Sequence, residues 1–335
     1  MRKIKIALIG LNRHSHAQPI ISCIRKNDNI FDFAGYALTH NEDERFPEIF
    51  RYLDGCKRLS VDEIMNDTSI EAVAIETEEI YLSEYATLAA KHGKHIHMEK
   101  PGGTSVSEFE ALIDLVKKGG KTFNVGYMYR YNPIIRDLLS RINSGEFGKI
   151  ISVDAQMSCY HPTETRQWLE TFPGGMMFFL GCHLVDLILQ IQGKPENVIP
   201  LNRSSGIDGV SAQDFGMAIF EYPNGVSVAK ASAVEIGGFT TRRLLVSGTK
   251  KAIEIKPLEF VSGENLLVSE AVEFENKQSW SDRGSSYKSG DFNRYDDMMK
   301  AFASMVRGEC ENPYTYDYEL ELYKTVMKAC GGEEK

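Results

Sequence analysis

The sequence has no basic stretch. Its 38 Lys and Arg face 47 Asp and Glu, for a net charge of -9. That balance argues against a polyanion such as nucleic acid as partner. Long hydrophobic runs are also absent. After a basic start, the apolar run Ile4–Ile9 is only a strand's length, short of a signal peptide's apolar core or a membrane span. The expectation is a cytoplasmic protein with no membrane partner. Cysteine is sparse and scattered, at Cys23, Cys56, Cys159, Cys182, Cys310 and Cys330, with no C-x-x-C pair. Reduced thiols are expected, not a disulfide frame or a zinc site. Internal repeats and low-complexity tracts are missing too. What is present is 335 residues of ordinary globular composition, enough for two domains with proper cores.

The first part alternates short apolar runs with helical segments. Strands are expected at Ile4–Ile9, Phe31–Leu38, Ala72–Ile75, His95–Met98 and Thr122–Val125. Helices are expected at Pro19–Lys26, after the capping box Ser60-x-x-Glu63, from a Ser83 cap to His92, and from a Ser105 cap to Lys118. This rhythm implies α/β architecture, a doubly wound parallel sheet covered on both faces. After Gly148 it changes. Ile150–Gln156, Phe215–Tyr222, Val226–Ala233, Arg242–Ser247 and Ala252–Ile255 read as strands of a large, mainly antiparallel open sheet. A Tyr222-Pro223-Asn224-Gly225 hairpin and one helix near Gly181–Gln190 interrupt it. Residues 276–290 read as a loop, and Phe292–Val306 and Tyr318–Cys330 as helices. The expected domains are 1–126 for a dinucleotide, 127–290 for substrate and oligomer contacts, and 291–335 as helices packing back on the first domain.

Chemistry concentrates at Met98-Glu99-Lys100-Pro101. A lysine there lies at the carboxyl end of a strand, where open α/β sheets bind ligands. With the strand leading into Gly10, with Val125-Gly126-Tyr127-Met128-Tyr129-Arg130-Tyr131-Asn132-Pro133, with Gly174-Gly175 running to Gly181-Cys182-His183-Leu184-Val185-Asp186, and with Val246-Ser247-Gly248-Thr249-Lys250, it makes a series. In order and spacing the series resembles the glucose–fructose oxidoreductase / inositol dehydrogenase / MocA family. The resemblance covers nearly the whole length. It implies a Rossmann-type first domain, an α+β second domain, and hydride transfer between NAD or NADP and a sugar-like substrate. It also implies that Lys100 contacts nicotinamide and substrate, and that His183 is the acid–base group. A base must take the hydroxyl proton as hydride leaves, and a cation steadies the developing alkoxide. Arg130 falls where relatives contact substrate. A homo-oligomer, dimer or tetramer, is expected through the open sheet.

Two departures stand out. The fingerprint G-x-G-x-x-G reads Gly10-Leu11-Asn12-Arg13-His14-Ser15, keeping one glycine. Asn12 is expected to take a left-handed backbone, Ser15 to permit close packing, and Arg13, His14 and His16 to offer charge to phosphates. The second strand ends Leu38-Thr39-His40 with no carboxylate before Glu42, which leans toward NADP, with Thr39, His40, Thr77 and Glu99 also toward the cofactor. The acidic run Glu76-Thr77-Glu78-Glu79 opposes an anion unless Arg13 neutralises one of its members.

The second departure is Phe179, where relatives often carry an aspartate one turn before the histidine. His183 then works alone, shares the proton work with Tyr160 or His161, or the chemistry is lost. Asp186, on the same helix face, is a candidate replacement. Trp168, with Phe178 and Phe179, is expected to floor a sugar site. Two rival readings stay open: a regulatory or sensing protein that kept the fold, and a redox-neutral enzyme with tightly held cofactor.

Overall fold

The computed structural model describes residues 2–332 apart from 13, 264–265 and 278. The chain divides into two compact units, one of residues 1–128 and 295–323, the other of 129–294 and 324–335.

The first unit holds strands β1 (Ile4–Ile9), β2 (Phe31–Ala37), β3 (Ala72–Ile75), β4 (His95–Met98) and β5 (Phe123–Val125). Its early helices are α1 (Ala17–Lys26), α2 (Glu42–Arg45), α3 (Val61–Asn66), α4 (Leu82–Lys91) and α5 (Val106–Gly119). The strands pair in parallel in the order β2-β1-β3-β4-β5. The strands are mostly buried, β3 and β5 carry continuous apolar or uncharged runs, and β1 is apolar from Ile6 on, as a sheet covered on both faces requires. Ser60 and Glu63 form the expected reciprocal cap of α3, and Ser105 caps α5 through the Glu108 amide. Ser83 does not cap α4. The helix begins one residue earlier, and the buried Ser83 hydroxyl donates to the Gly102 carbonyl, tying α4 to the loop after β4.

The second unit opens on a 3-10 turn, Met128–Tyr131, whose last three residues belong to it, followed by α6 (Pro133–Asn143) with Asn132 as its cap. Next come β6 (Ile150–Ser158), α7 (Thr163–Trp168), a π-helical turn at Met177–Gly181, and α8 (Cys182–Gln192). Trp168 is the last residue of α7.

Strands β7 (Asn197–Pro200), β8 (Phe215–Tyr222), β9 (Gly225–Ser232), β10 (Arg243–Gly248), β11 (Lys251–Ile255), β12 (Phe260–Gly263), β13 (Leu266–Val268), β14 (Glu270–Glu275) and β15 (Ser285–Lys288) complete the unit. Eight of the unit's strands form one sheet ordered β15-β14-β11-β10-β6-β9-β8-β7. Its pairings are antiparallel except β6 with β9. The segment expected as a loop at 276–290 thus carries edge strand β15, paired to β14. One face of the sheet (Val153, Ala155, Met157, Phe220, Ala229, Ala231) is buried under α8.

α9 (Arg294–Val306) belongs to the first unit from Tyr295 on. There Phe302 lies against the His97 ring. α10 (Tyr316–Ala329) contributes only its part through Tyr323 to that unit, so the last residues do not follow the expected assignment of the whole tail. Tyr323 stacks on Phe109 at 4.2 Å and donates to the Gly103 carbonyl at 2.9 Å. Among the described residues no helix is long and apolar enough to cross a membrane.

Candidate functional site

In the first unit the strand order reverses between β1 and β3, the crevice where doubly wound sheets bind ligands. Ladder bonds carry the strands one residue further: the Glu76 amide donates to Ile9, Glu99 to Ile75 and Gly126 to Met98. These bonds set Gly10, Glu76–Thr77 and Glu99–Lys100 along one carboxyl edge. Gly10 has φ +84°, and a Cβ there would sit 2.4 Å from the Thr77 backbone. Only glycine fits that approach.

Asn12 is not left-handed. Its side chain acts instead as a cap. Oδ1 accepts from the amides of His14 at 2.8 Å and Ser15 at 3.0 Å, and Nδ2 donates to the Glu76 carbonyl at 3.3 Å. The Ser15 hydroxyl accepts from the Ala17 amide at 3.3 Å. Glu99 Oε2 takes the His16 amide at 3.4 Å and lies 2.6 Å from His16 Nδ1. The amides entering α1, which elsewhere bind pyrophosphate, are thus held by the chain's own side chains. Arg13 lies outside the described residues.

At the end of β2, Thr39 is buried and its hydroxyl bonds that of Thr77 at 2.9 Å. His40 is exposed, at φ +48°, and stacks on Tyr81 at 3.5 Å. The acidic residue missing from the strand end is supplied from α2. Glu42 folds back to accept the Thr39 amide at 2.9 Å and is 1% exposed. Burial pushes its carboxyl up to about 7 against the pull of that bond. Its Oε1 is buried and makes no hydrogen bond among the described residues.

Beside the crevice three carboxylates are buried with one lysine. Lys100 Nζ lies 3.7 Å from Glu99 Oε1 and 4.0 Å from Glu79 Oε1. Burial pushes Glu79 up to about 7, opposed by Lys100. Burial and the neighbouring Glu99 charge hold Glu76 well above the ordinary range. Glu99 meets the same burial, but His16 and then Lys100 outweigh it and hold its carboxyl low. His97, beside Glu76 at 3.8 Å, is pushed down to about 4 by burial and is neutral. Glu78 is paired by Arg45, at 2.6 and 2.8 Å.

In the second unit the π turn precedes the helix that carries His183. Such turns recur at functional sites because they re-aim side chains. His183 is 1% exposed, and its ring meets the edge of Tyr129 at 5.4 Å. Both Asp186 oxygens accept from Arg130, at 2.9 to 3.2 Å, and Oδ2 also accepts from Gln190. Arg130 and Asp186 thus form a buried ion pair inside the unit. Phe179 contacts the Trp168 ring at 5.1 Å and His161 at 6.2 Å, making an aromatic wall with Phe172. Tyr160 is 56% exposed. Sequence reasoning did not find Glu42's return to the strand end, the Asn12 cap, or the Tyr129–Glu259–Arg242 group described below. None leaves a periodic or motif signal.

Two family models match the chain. One, an oxidoreductase family model with an NAD-binding Rossmann fold, matches residues 4–127. The other, the GFO/IDH/MocA C-terminal domain, matches residues 135–254. The chain therefore belongs to the Gfo/Idh/MocA oxidoreductase family. It is 26% identical over 199 residues to the oxidoreductase YhhX of Escherichia coli, covering 58% of this chain and 55% of that one. It is 31% identical over 156 residues to scyllo-inositol 2-dehydrogenase (NAD(+)) of Bacillus subtilis, covering 44% and 43%. The chain thus spans about half the length of these curated relatives. An aldose-aldose oxidoreductase from Caulobacter crescentus, crystallised with glycerol, shares the fold at TM-score 0.79 and 18% identity, covering 98% of this chain and 96% of that one.

The residues of the first unit fit a nicotinamide dinucleotide. Gly10 has no Cβ to collide with the Thr77 backbone packed against it at the crevice, and Glu42 Oε1 is a buried acceptor at the strand end that holds a ribose diol in such folds.

Proposed function

We propose that the chain is an NAD-dependent oxidoreductase acting on a carbinol carbon of a sugar, cyclitol or sugar derivative. The observation that carries it is a buried lysine at the carboxyl edge of β4, in a unit matching an NAD-binding family. Glu42 supports NAD over NADP, since a carboxylate accepting ribose hydroxyls repels a 2′-phosphate. That replaces the lean drawn from a strand end without an acid. The bound cofactor supplies the hydride acceptor. Lys100 steadies the oxygen as charge develops on it, and His183 takes the hydroxyl proton. Buried surroundings keep water from both. The uncovered sheet face is the surface through which copies associate, a point for sedimentation analysis.

Titration with NADH and NADPH, following nicotinamide fluorescence, alongside Lys100→Ala, tests the reading. Saturable binding with NADH preferred is expected. No binding of either at millimolar concentration would sink it.

One observation favours a second reading, a non-catalytic protein that kept the fold: the α1 amides are already capped by Asn12 and Glu99. Asn12→Gly discriminates. On the enzyme reading it frees amides for phosphate and tightens cofactor binding. On the sensing reading neither protein binds.

A further inference from the structure

The second unit holds a buried guanidinium that makes no ion pair among the described residues. Arg242, just before β10, is 7% exposed. Its Nε donates to the Ser158 carbonyl at 3.3 Å and its Nη1 to the Tyr129 hydroxyl at 3.2 Å. Its Cζ sits 4.5 Å from the Phe239 ring centroid. These acceptors are neutral, while a guanidinium keeps its charge at any ordinary pH. A charge buried this far is costly unless it is paired.

The surrounding groups do not supply the pair. The acid joined to it through Tyr129 is Glu259, whose Oε1 accepts the Tyr129 hydroxyl at 2.8 Å and an Arg294 Nη1. Two guanidiniums therefore share one carboxylate, and Arg242 reaches it only through the phenol. Burial pushes the Cys159 thiol up to about 11, so it stays neutral. Burial, then Arg242 itself, lowers His161. The remaining N–H groups of Arg242 lie on Nη1 and Nη2, a fork suited to two oxygens. Glu259 Oε2 is buried and makes no hydrogen bond among the described residues, so it offers an acceptor to a hydroxyl. The ring joining the two is Tyr129, whose edge meets His183.

We propose that Arg242 and Glu259 are the substrate-recognition pair of this unit, and that the substrate is a sugar derivative bearing an anionic oxygen group, carboxylate or phosphate, which Arg242 binds. This rests on the oxidoreductase reading and names the substrate class within it.

Calorimetry on the full chain with matched probes tests it: glucuronate against glucose, gluconate against sorbitol, and glucose 6-phosphate against glucose. The anionic member of at least one pair is expected to bind about tenfold tighter or more, the range of a charge-assisted hydrogen bond. Arg242→Gln is expected to remove that advantage. Arg242→Lys, which keeps the charge but not the fork, is expected to keep part of it and guards against a misfolded glutamine variant. A preference for the acids assigns the anion as carboxylate; a preference for the ester assigns it as phosphate. Equal binding within every pair, no binding of any probe, or an advantage that survives in Arg242→Gln overturns the proposal. Because calorimetry needs no turnover, a failed nicotinamide titration bears on the oxidoreductase reading alone.

Discussion

Glu79 is buried beside Lys100 with its carboxyl pushed up to about 7, from an ordinary 4.5. A carboxyl raised in the folded state contributes stability that is complete below about 4.5 and is lost as pH rises through about 7. Glu79→Gln removes that dependence. Relative to the parent, the variant should gain on the order of 3 kcal/mol between pH 4.5 and pH 8, read from urea unfolding at each pH. Glu42 makes a different prediction. Glu42→Ala removes the carboxylate expected at the ribose and should raise NADPH affinity about tenfold, measured by fluorescence titration. At this scale the sequence was only partly legible. The Glu-Lys-Pro motif and His183 carry family spacing. The burial of Glu76 and Glu79 runs against composition, because charged residues rarely sit inside. Asn12 was read as a backbone substitute for glycine when its side chain is what acts.

α8 shows how a helix position fixes a role. His183 and Asp186 stand one turn apart, yet Asp186 is bonded to Arg130 and its neighbour Gln190. Asp186→Ala would remove the buried carboxylate that accepts from Arg130 Nε and Nη2, and should cost about 3–5 kcal/mol, visible as a lowered unfolding midpoint in thermal denaturation. The parallel strands were readable because both their faces are buried and their apolar runs are nearly continuous. β3 and β4 match the expected bounds. Strands β14 and β15 were not, because their residues are largely half-exposed and polar. They pair with each other across the segment between them, and strand preference depends on such neighbours more than on local pattern. The π turn before α8 was also unreadable, since it differs from an α-helix only in which amide meets which carbonyl.

The first unit is discontinuous, made of residues 1–128 and 295–323. Its β4 and α5 rest on Phe302 and Tyr323 from the far segment. A fragment of residues 1–128 should therefore fail to reach a cooperative fold. It should bind a hydrophobic dye, while the full chain should not, as circular dichroism and dye fluorescence would show. The change of rhythm after Gly148 is visible in the sequence, whereas the division of the chain falls at Met128 and Tyr129. The crossing of α10 at Tyr323 was not legible, because helical periodicity says what a helix buries but not against which unit.

That arrangement also sets an order of events during synthesis. The residues of the second unit from 129 to 294 leave the ribosome before α9 and α10 do. At about 5–20 residues per second, the interval is on the order of ten to thirty seconds. Throughout it, the surfaces awaiting Phe302 and Tyr323 lie bare on the nascent chain. The protein's most vulnerable moment is set by the order of its sequence, and chaperone capture should peak there.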